Sequence, residues 1–427
     1  MFRIANGQGF WGDLPQAPAK QVHGGPIDVL CLEYLAEVTL GILARMKQKD
    51  SSGGYIPDFI EQMDELWEEC ISNNITVVTS AGGINPRACA RDVESVLLER
   101  GIDADIACVT GDDCMDELTD WLEKEELEPE DQELLENHED QILAANRYFG
   151  SKGLTQAYRE GADVIIAGRV TDTSLVLGPA MAELNWSDGD YDSLATGIVA
   201  GHILECGGQA TGGNFSGNSE EIDDLWNIGF PIAKFNTKGE LKITKHESLG
   251  GTVNERTVSE QILYKLTDPS AYKTPDVTVD FRNIELEETD SGVRIRGIEG
   301  SPPPSTDKIS VLYQDGFQVS GHLTYCGPDP VEKTAKAESI LRNRLADIGR
   351  EPERLEVENV GYNACHRELS SADSNAQDEV LFRVAAHDSS REYLREVGKQ
   401  LMGLLLTGPP GATGFAEGRP PPPPVIK

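Results

Sequence analysis

The sequence predicts an α/β protein in which a mainly parallel sheet with flanking helices is followed by a smaller α+β C-terminal domain, split β-α-β-like in its pattern. Three observations predict this arrangement. In residues 1–300, short apolar runs alternate with longer amphipathic stretches, as strands and covering helices do in parallel sheets. The proline-rich segment 301–305 is typical of a linker. Residues 301–427 then hold strand-like and helix-like stretches of their own, so we expect two domains, 1–300 and 301–427.

The first predicted domain alternates strands and helices along the chain. Its predicted strands are short and largely apolar, which favours strands buried on both faces. In order, we expect strands over 27–34, 74–80, 103–110 and 162–167, and helices over 57–73, from the 81–87 turn to 100, and over 144–161. Segment 112–140 is acid-rich, with Lys124 as its only Lys or Arg. We expect a solvated helical insertion there, with a cation site as the alternative.

The second predicted domain begins with a hairpin. Asp315-Gly316 between two apolar runs is a turn signal, which predicts paired strands over 308–313 and 317–326. A helix over 328–349, strands over 355–362 and 379–386, and a helix over 390–405 are expected to follow. The proline run 420–424 and the apolar residues after it predict an edge strand or a frayed tail.

The charge of the chain excludes some classes of partner. Its 73 acidic and 37 basic residues give a formal net charge of −36. Nucleic acids and anionic membranes need basic clusters on the protein, so neither is expected. Such acidity in a patterned, foldable sequence is typical of the acid-coated surfaces of proteins adapted to high salt.

The beginning of the chain and its cysteines bear on location. Residues 1–4 lead directly into a strand-like start, so we expect no signal peptide. No apolar run approaches the roughly 20 residues that a membrane span needs. The eight cysteines are scattered without a C-x-x-C pair, as free thiols are in reducing compartments. We therefore expect a cytoplasmic protein.

Three predicted strands end in small or polar loops, 80–87, 110–113 and 168–174. The carboxyl ends of parallel strands share one edge of a sheet, where ligands bind in open α/β sheets. Arg87 and Arg169 are expected to supply positive charge to an anion, and Gly82-Gly83 with the following helix start to offer N–H groups to a phosphate. The predicted ligand-binding residues are Gly82, Gly83, Asn85, Arg87, Asp113, Arg169, Asp172, Ser174, Thr211 and Gly212.

Two of these predictions have alternatives. Residues 7–12 match G-x-G-x-x-G literally, but the short strand before them and the proline after them favour a cleft-lining glycine loop over a dinucleotide site. Asp172 either forms an internal salt bridge with Arg169 that fixes the turn, or orients Arg169 as a bidentate clamp for a carboxylate or phosphate.

His202, Glu205 and Cys206 share one face if they lie on a helix. Three interpretations stay open: a metal site, a Cys nucleophile with His as its base, and a helix end that packs against a cleft with Glu205 or His202 as acid–base groups. The candidate catalytic residues are Glu205, His202 and Asp112. No metal site is expected, since no second cluster at ligand spacing is present.

The chain resembles a known family, the acyclic terpene utilisation AtuA family, along nearly its whole length. The segments that carry the resemblance are 6–13 (Asn-Gly-Gln-Gly-Phe-Trp-Gly-Asp), 32–37 (Leu-Glu-Tyr-Leu-Ala-Glu), 80–87, 111–113, 168–172 (Gly-Arg-Val-Thr-Asp) and 200–214. The resemblance implies catabolism of citronellol- and geraniol-type acids, alongside acyl-CoA carboxylases and dehydrogenases. It carries over no catalytic residues.

The resemblance implies a small-molecule substrate, a branched or short acyl-CoA or carboxylic acid derivative. A CoA thioester is the expected ligand, and no other cofactor is identified. Two functions stay open: an enzyme with Arg169 and Arg87 as anion clamps, and a non-catalytic binding or assembly subunit associated with acyl-CoA carboxylase components. A metal-dependent hydrolase is a third, to be decided by metal analysis. A homo-oligomer is expected from size and charge.

Overall fold

The computed structural model describes residues 1–124, 127–417 and 421–427. It divides into two compact units, unit 1 with residues 1–133 and 143–312, and unit 2 with residues 134–142 and 313–427. The predicted boundary at residue 300 stays a prediction. Glu125 and Glu126 of the predicted acidic insertion, and Pro420 of the proline run, lie outside the described residues.

The strands are short in unit 1 and longer in unit 2. Among the described residues they are β1 (Phe2–Gln8), β2 (Val29–Leu32), β3 (Thr76–Thr79), β4 (Ile106–Val109), β5 (Ile142–Arg147), β6 (Val164–Ala167), β7 (Ile232–Phe235), β8 (Leu241–Thr244), β9 (Tyr272–Lys273), β10 (Thr278–Asp280), β11 (Glu285–Thr289), β12 (Gly292–Arg296), β13 (Glu299–Ser301), β14 (Ile309–Cys326), β15 (Arg354–Val360), β16 (Glu379–Asp388), β17 (Ala412–Glu417) and β18 (Pro424–Ile426).

Helices alternate with these strands through most of unit 1, and further helices lie in unit 2. They are α1 (Ala17–Gly24), α2 (Glu37–Lys49), α3 (Pro57–Met63), α4 (Trp67–Ser72), α5 (Pro86–Glu99), α6 (Met115–Glu123), α7 (Pro129–Glu136), α8 (Lys152–Arg159), α9 (Ser174–Glu183), α10 (Tyr191–Leu204), α11 (Glu255–Leu263), α12 (Pro330–Asp347) and α13 (Arg391–Thr407). In the described part of the chain, none of them combines the length and apolar character that crossing a membrane requires.

The α/β class is confirmed, but the large sheet of unit 1 is mixed. The described residues form nine strands in the order β11-β12-β8-β7-β1-β2-β3-β6-β4. The strands β1, β2, β3, β6 and β4 pair in parallel and are called the parallel half. The strands β7, β8, β12 and β11 pair antiparallel and are called the antiparallel half. The prediction of a mainly parallel sheet is therefore wrong for one half, because short connections such as β7–β8 return the chain directly beside itself.

The main core of unit 1 lies between this sheet and two apolar helices. Every described side chain of α9 from Ser174 to Ala182 is buried, and α10 is buried from Gly197 to Leu204. Both pack against sheet residues such as Ile4, Val29 and Phe235. Each such large apolar side chain contributes about 1.5–3 kcal/mol when fully buried. Helices that are apolar all round occur in this kind of interior position.

Two helix predictions in unit 1 need correction. The predicted helix 57–73 is two helices, α3 and α4, separated by a turn. The predicted helix 144–161 is the strand β5 followed by α8. The chain breaks between them because the backbone N–H and hydroxyl of buried Ser151 donate to the carboxylate of Asp276, at 2.9 and 2.7 Å, which fixes a turn rather than a helix.

Unit 2 is an α+β arrangement. Its sheet has the order β15-β16-β14-β17, with β18 also pairing with β14. The helices α12 and α13 contribute Leu341, Leu345 and Leu401 to a core with Phe382. The hairpin predicted at Asp315-Gly316 is wrong, because β14 is one continuous strand there. Gly316 has a φ of +63° and the pairing with β18 shifts register around it, so the turn signal marks a bulge.

Candidate functional site

The loops after β1, β2 and β3 meet at one edge of the parallel half, which we call the carboxyl edge. The N–H of Glu33 donates to the carbonyl of Gln8 at 3.1 Å, and the N–H of Ser80 donates to that of Leu32 at 3.3 Å. The Ser80 hydroxyl oxygen accepts from the N–H of Tyr34 at 2.9 Å. The strand ends therefore form a connected wall, as the parallel pairing requires.

Glu33 is the most unusual carboxyl group at this edge. Its side chain is buried, with 3% of its surface exposed. One oxygen accepts from the N–H of Leu35 at 2.7 Å, whereas Oε2 has no hydrogen-bond partner among the described residues. Burial and the charge of Asp172 raise the pKa of Glu33 to about 8, against the opposing charge of Arg169. Glu33 is therefore mostly protonated at neutral pH, which makes it a proton donor.

Arg169 lies beside Glu33 and is almost fully buried, with 3% of its surface exposed. Its Nη2 forms an ion pair with Oδ1 of Asp172 at 2.5 Å. The guanidinium stacks on the ring of Tyr148, 4.2 Å from the ring centre. The structure thus contains the internal salt bridge, the first of the two interpretations of this pair. Arg169 Nε has no hydrogen-bond partner among the described residues.

Asp112 positions the turn that carries Arg169. Its Oδ2 accepts from the backbone N–H of Arg169 at 2.8 Å and from the side-chain amide of Asn146 at 2.9 Å. A Cβ added to Gly168 would lie 2.5 Å from Asp112 Oδ1, so only glycine permits this approach. Burial raises the pKa of Asp112, and these hydrogen bonds oppose the shift. The role that the contacts of Asp112 support is positioning.

His202 and Glu205 are buried neighbours at the end of α10. His202 Nε2 lies 3.0 Å from the carbonyl oxygen of Ile262, and since a carbonyl only accepts, this nitrogen carries the hydrogen. The other nitrogen, Nδ1, faces Oε1 of Glu205 at 3.5 Å. Burial lowers the pKa of His202, but Glu205 and the Ile262 carbonyl outweigh it and raise the pKa overall.

Lys265 completes the group of charges. It follows α11 with a φ of +59°, and its side chain is exposed. Desolvation lowers the pKa of its ammonium, but Cys206, Glu205 and Asp172 outweigh it and raise the pKa. These groups therefore lie within electrostatic range of one another. The edge cluster is defined here as Glu33, Arg169, Asp172, His202, Glu205 and Lys265.

Cys206 does not have the surroundings of a nucleophile. Burial and the charge of Glu205 raise the pKa of its thiol to about 11, so little thiolate is present at neutral pH. Both ring nitrogens of His202 face other groups, Ile262 and Glu205. The interpretation of a Cys nucleophile with His as base is therefore not supported.

Several amide groups of loop 80–87 are already used in local hydrogen bonds. The N–H groups of Gly83, Ile84 and Asn85 already donate to the carbonyls of Ser80, Gly54 and Gly82. The side-chain amide of Asn85 donates to the carbonyl of Gly53 at 2.8 Å. Gly82 packs so closely that a Cβ would lie 2.4 Å from the carbonyl oxygen of Ala167.

Arg87 differs from the rest of that loop because its side chain is exposed. Its Nη2 lies 3.4 Å from the hydroxyl of Thr110, just after β4. Arg87 is therefore the predicted clamp residue that remains accessible to a ligand near the carboxyl edge.

The other predicted ligand-binding residues serve local structure. Ser174 lies within hydrogen-bond distance of Asp276, 3.4 Å from Oδ2. The Thr211 hydroxyl donates to the carbonyl of Gly208 at 2.9 Å, and Gly212 has a left-handed φ of +101°. Asp113 accepts from the N–H of Met115 at the start of α6. None of these contacts joins the edge cluster.

The glycine loop 7–12 lines the same edge. The N–H of Gly9 donates to the carboxylate of Asp13 at 2.9 Å. A Cβ on Gly9 would lie 3.0 Å from the carbonyl oxygen of Glu205 and from the nitrogen of Gly207. The loop therefore brings the end of α10 against β1, which agrees with a cleft-lining role.

Sequence reasoning missed Glu33 and Lys265. Glu33 was placed inside a predicted strand, although an acidic residue directly after the apolar run Val29–Leu32 is a usable signal for a strand end. Lys265 carries no local signal, because it reaches Glu205 through the packing of α11 on α10. Among the described residues, no group of three or more His, Cys, Asp or Glu is arranged to hold a metal ion.

Comparison with known proteins gives information on the family of the chain. No curated protein and no solved structure matches the chain. The model of the acyclic terpene utilisation family protein AtuA matches residues 2–427. Its span includes every strand of the parallel half and every member of the edge cluster. The chain therefore belongs to the acyclic terpene utilisation family AtuA.

Proposed function

We propose that the protein is an enzyme that moves protons on a branched, terpenoid-type acyl derivative, a CoA thioester or the related carboxylic acid, bound at the carboxyl edge. Membership of the AtuA family indicates a role in terpene utilisation. The observation that carries the proposal is the edge cluster itself. It places Glu33, whose pKa is raised to about 8, within electrostatic range of Asp172, and Asp172 within range of Glu205. Perturbed carboxyl pKa values at a strand edge are typical of acid–base sites.

The proposed chemistry uses Glu205 as the base. Its carboxylate takes a proton from the carbon beside the acyl carbonyl, and the electron pair of that C–H bond moves to the carbonyl oxygen as an enolate. We assign His202, whose Nδ1 lies 3.5 Å from Oε1 of Glu205, to positioning that carboxylate. Return of a proton to carbon restores the carbonyl, so no oxidant or reductant is needed.

Two cations support this chemistry. Lys265 is exposed and lies within electrostatic range of Glu205, so its ammonium is placed to stabilise the enolate oxygen. Arg87, exposed near the same edge, is assigned to the phosphates of CoA. Arg169 is already paired with Asp172, so we assign it to positioning rather than to the ligand.

The direct test is deuterium uptake. CoA thioesters of citronellol- and geraniol-type acids are incubated with the protein in D₂O, and exchange beside the carbonyl is followed by mass spectrometry. We expect exchange with wild type and a loss of at least about 100-fold in Glu205→Gln, the size typical of a lost general base. Glu94→Gln, an exposed glutamate on α5, is the matched control.

Two results contradict the proposal. One is the absence of exchange with every thioester and free acid of the panel. The other is equal exchange by wild type and Glu205→Gln. Thermal stabilisation by CoA thioesters without any exchange would instead support the binding or assembly subunit predicted as the alternative.

A further inference from the structure

The antiparallel half carries a row of four basic side chains, one on each of four neighbouring strands. Arg3 on β1 pairs directly with Lys234 on β7, Lys234 with Lys242 on β8, and Lys242 with Arg294 on β12. Directly opposed residues project from the same face of a sheet. The four side chains are therefore contiguous on one face, and we call them the cationic row.

This face of the sheet is the open one. The alternating neighbours of the row, such as Ala233, Ile243 and Ile295, are buried in the core on the other face. The row residues themselves are only partly buried. One wet face and one packed face are the usual state of antiparallel sheets, so the row is accessible.

Like charges directly opposite one another destabilise a sheet. Lys234 shows the effect, because burial and the charges of Lys242 and Arg3 lower its pKa, with Glu247 opposing. The ends of the row have carboxylate partners, Arg3 with Asp28 at 3.8 Å and Arg294 with Glu287 at 3.0 Å.

The middle of the row has no such partner. Lys242 donates to the hydroxyl of Ser291, and the side-chain ammonium of Lys234 has no hydrogen bond or ion pair within the described residues. In a chain of net charge −36, four adjacent cations without enough counter-charge mark a surface suited to an acidic partner.

The chain itself contains a matching acidic surface. On α6, the exposed residues Asp116, Glu117, Asp120 and Glu123 cover one side, opposite the buried Leu118 and Leu122. From Asp116 to Glu123 the helix rises by about 10 Å at 1.5 Å per residue. The cationic row spans three strand spacings, about 14 Å. Four carboxylates, one of them (Asp120) paired with Lys124 at 3.6 Å, thus face four cations in number, over a length shorter by about 4 Å.

The two surfaces do not meet within one chain. Helix α6 follows β4, which is one edge of the nine-stranded sheet, whereas the row runs from β1 to β12 in the other half. We propose that the cationic row binds the acidic face of α6 from a second copy of this chain. A two-fold axis would turn the β4 end of one sheet over the β12 end of the other and make the contact twice.

Sedimentation of the full chain tests this. At about 0.1 M NaCl, where charges are felt over about 10 Å, we expect a dimer, and at about 1 M, where this falls to about 3 Å, a monomer. Lys234→Glu with Lys242→Glu should weaken association at least about tenfold. These changes remove like-charge pairs, so the variant should fold, as circular dichroism will show. The control, Lys49→Glu with Lys336→Glu, makes the same charge change at exposed lysines elsewhere and should associate like wild type.

A charge exchange provides the second measurement. Asp116→Lys with Glu123→Lys should also lose self-association, and a mixture of this variant with Lys234→Glu/Lys242→Glu should regain the dimer. The proposal is overturned by a folded wild type that stays monomeric at low salt, by a dimer insensitive to the row variant, or by failure of the mixture to pair. A monomer that binds tripolyphosphate through the row would assign the surface to a small anion instead.

Discussion

In the parallel half of the large sheet, ionisable side chains gather at one edge, whereas in the antiparallel half they spread across an open face. Glu33 and Arg169 follow strands buried on both faces, and both are almost fully buried themselves. Lys234 and Lys242 lie mid-strand and remain partly exposed. The same sheet thus holds charge in two environments of different polarity.

The difference follows from strand direction. Parallel strands place all their carboxyl ends at one edge, so polar loops converge there and can shift one another's pKa values. Antiparallel strands alternate their ends and leave one face in water, so their charges interact weakly and through salt-sensitive contacts. The proposed acid–base chemistry therefore lies at the carboxyl edge, and the proposed association with a charged partner uses the exposed face of the antiparallel half.

The largest effect should come from removing Arg169, the buried cation of the parallel half. Arg169→Met leaves the carboxylate of Asp172 without its ion-pair partner and should lower the free energy of unfolding by about 3–5 kcal/mol. Urea denaturation measures it. Arg91→Met, an exposed arginine on α5, should change stability by less than about 0.5 kcal/mol. A similarly small change in stability in both variants would mean that Arg169 and Asp172 are as well hydrated as exposed surface charges.

The next effect is on pH dependence. Because the pKa of Glu33 is raised to about 8 in the folded protein, the folded state binds one more proton than the unfolded state between about pH 4.5 and 8. This contribution to stability is present at low pH and is lost as pH rises, by about 1.4 kcal/mol per unit. Glu33→Gln should remove that slope, and Glu94→Gln should keep it. Parallel stability curves for wild type and Glu33→Gln would contradict this assignment.

A third prediction concerns the pKa of His202 beside Glu205. Glu205→Gln removes the charge that raises the pKa of His202, so burial should dominate and the pKa should fall. Nitrogen NMR of labelled histidines measures the titration, with His202→Asn to assign the signal. An unchanged pKa would show that Glu205 and His202 are not coupled across their 3.5 Å separation.

The smallest effect is expected in the antiparallel half. Lys234→Glu places a carboxylate between Arg3 and Lys242 and should stabilise the protein by about 0.2–1 kcal/mol at low salt. Thermal denaturation measures it, with Lys336→Glu as control. Raising the salt should reduce the gain. The measurement is made at a protein concentration low enough for the chain to be monomeric. Destabilisation of that monomer by more than about 1 kcal/mol would mean that Lys234 is held by groups of its own chain.

Part of this difference between the two halves of the sheet could be predicted from the sequence. Apolar runs such as Val164–Ala167 indicated the buried parallel strands, and the loop around Arg169 and Asp172 was correctly placed at a strand end. The antiparallel pairing was not predicted, because strands such as β7 and β8 are only four residues long and give too short a pattern. The cationic row depends on pairing register across four strands, which no local pattern specifies.

The edge cluster was predicted only in part for the same reason. His202 and Glu205 are neighbours along one helix and were found by spacing. Lys265 joins them through contacts between α10 and α11, and Glu33 through pairing of β1 with β2, both of them tertiary effects. In loop 80–87, Gly82 packs closely against Ala167, and the phosphate contact expected of Gly82 and Gly83 stays a prediction.

The central claim is that the carboxyl edge holds a protonated carboxyl group at neutral pH, and infrared spectroscopy tests it most directly. A difference spectrum of wild type minus Glu33→Gln across pH 5 to 9 should show a protonated-carboxyl band that disappears with a midpoint of about 8, the pKa to which burial and Asp172 raise Glu33. A carboxylate band alone over the whole range would show that Glu33 is ionised and would contradict the account.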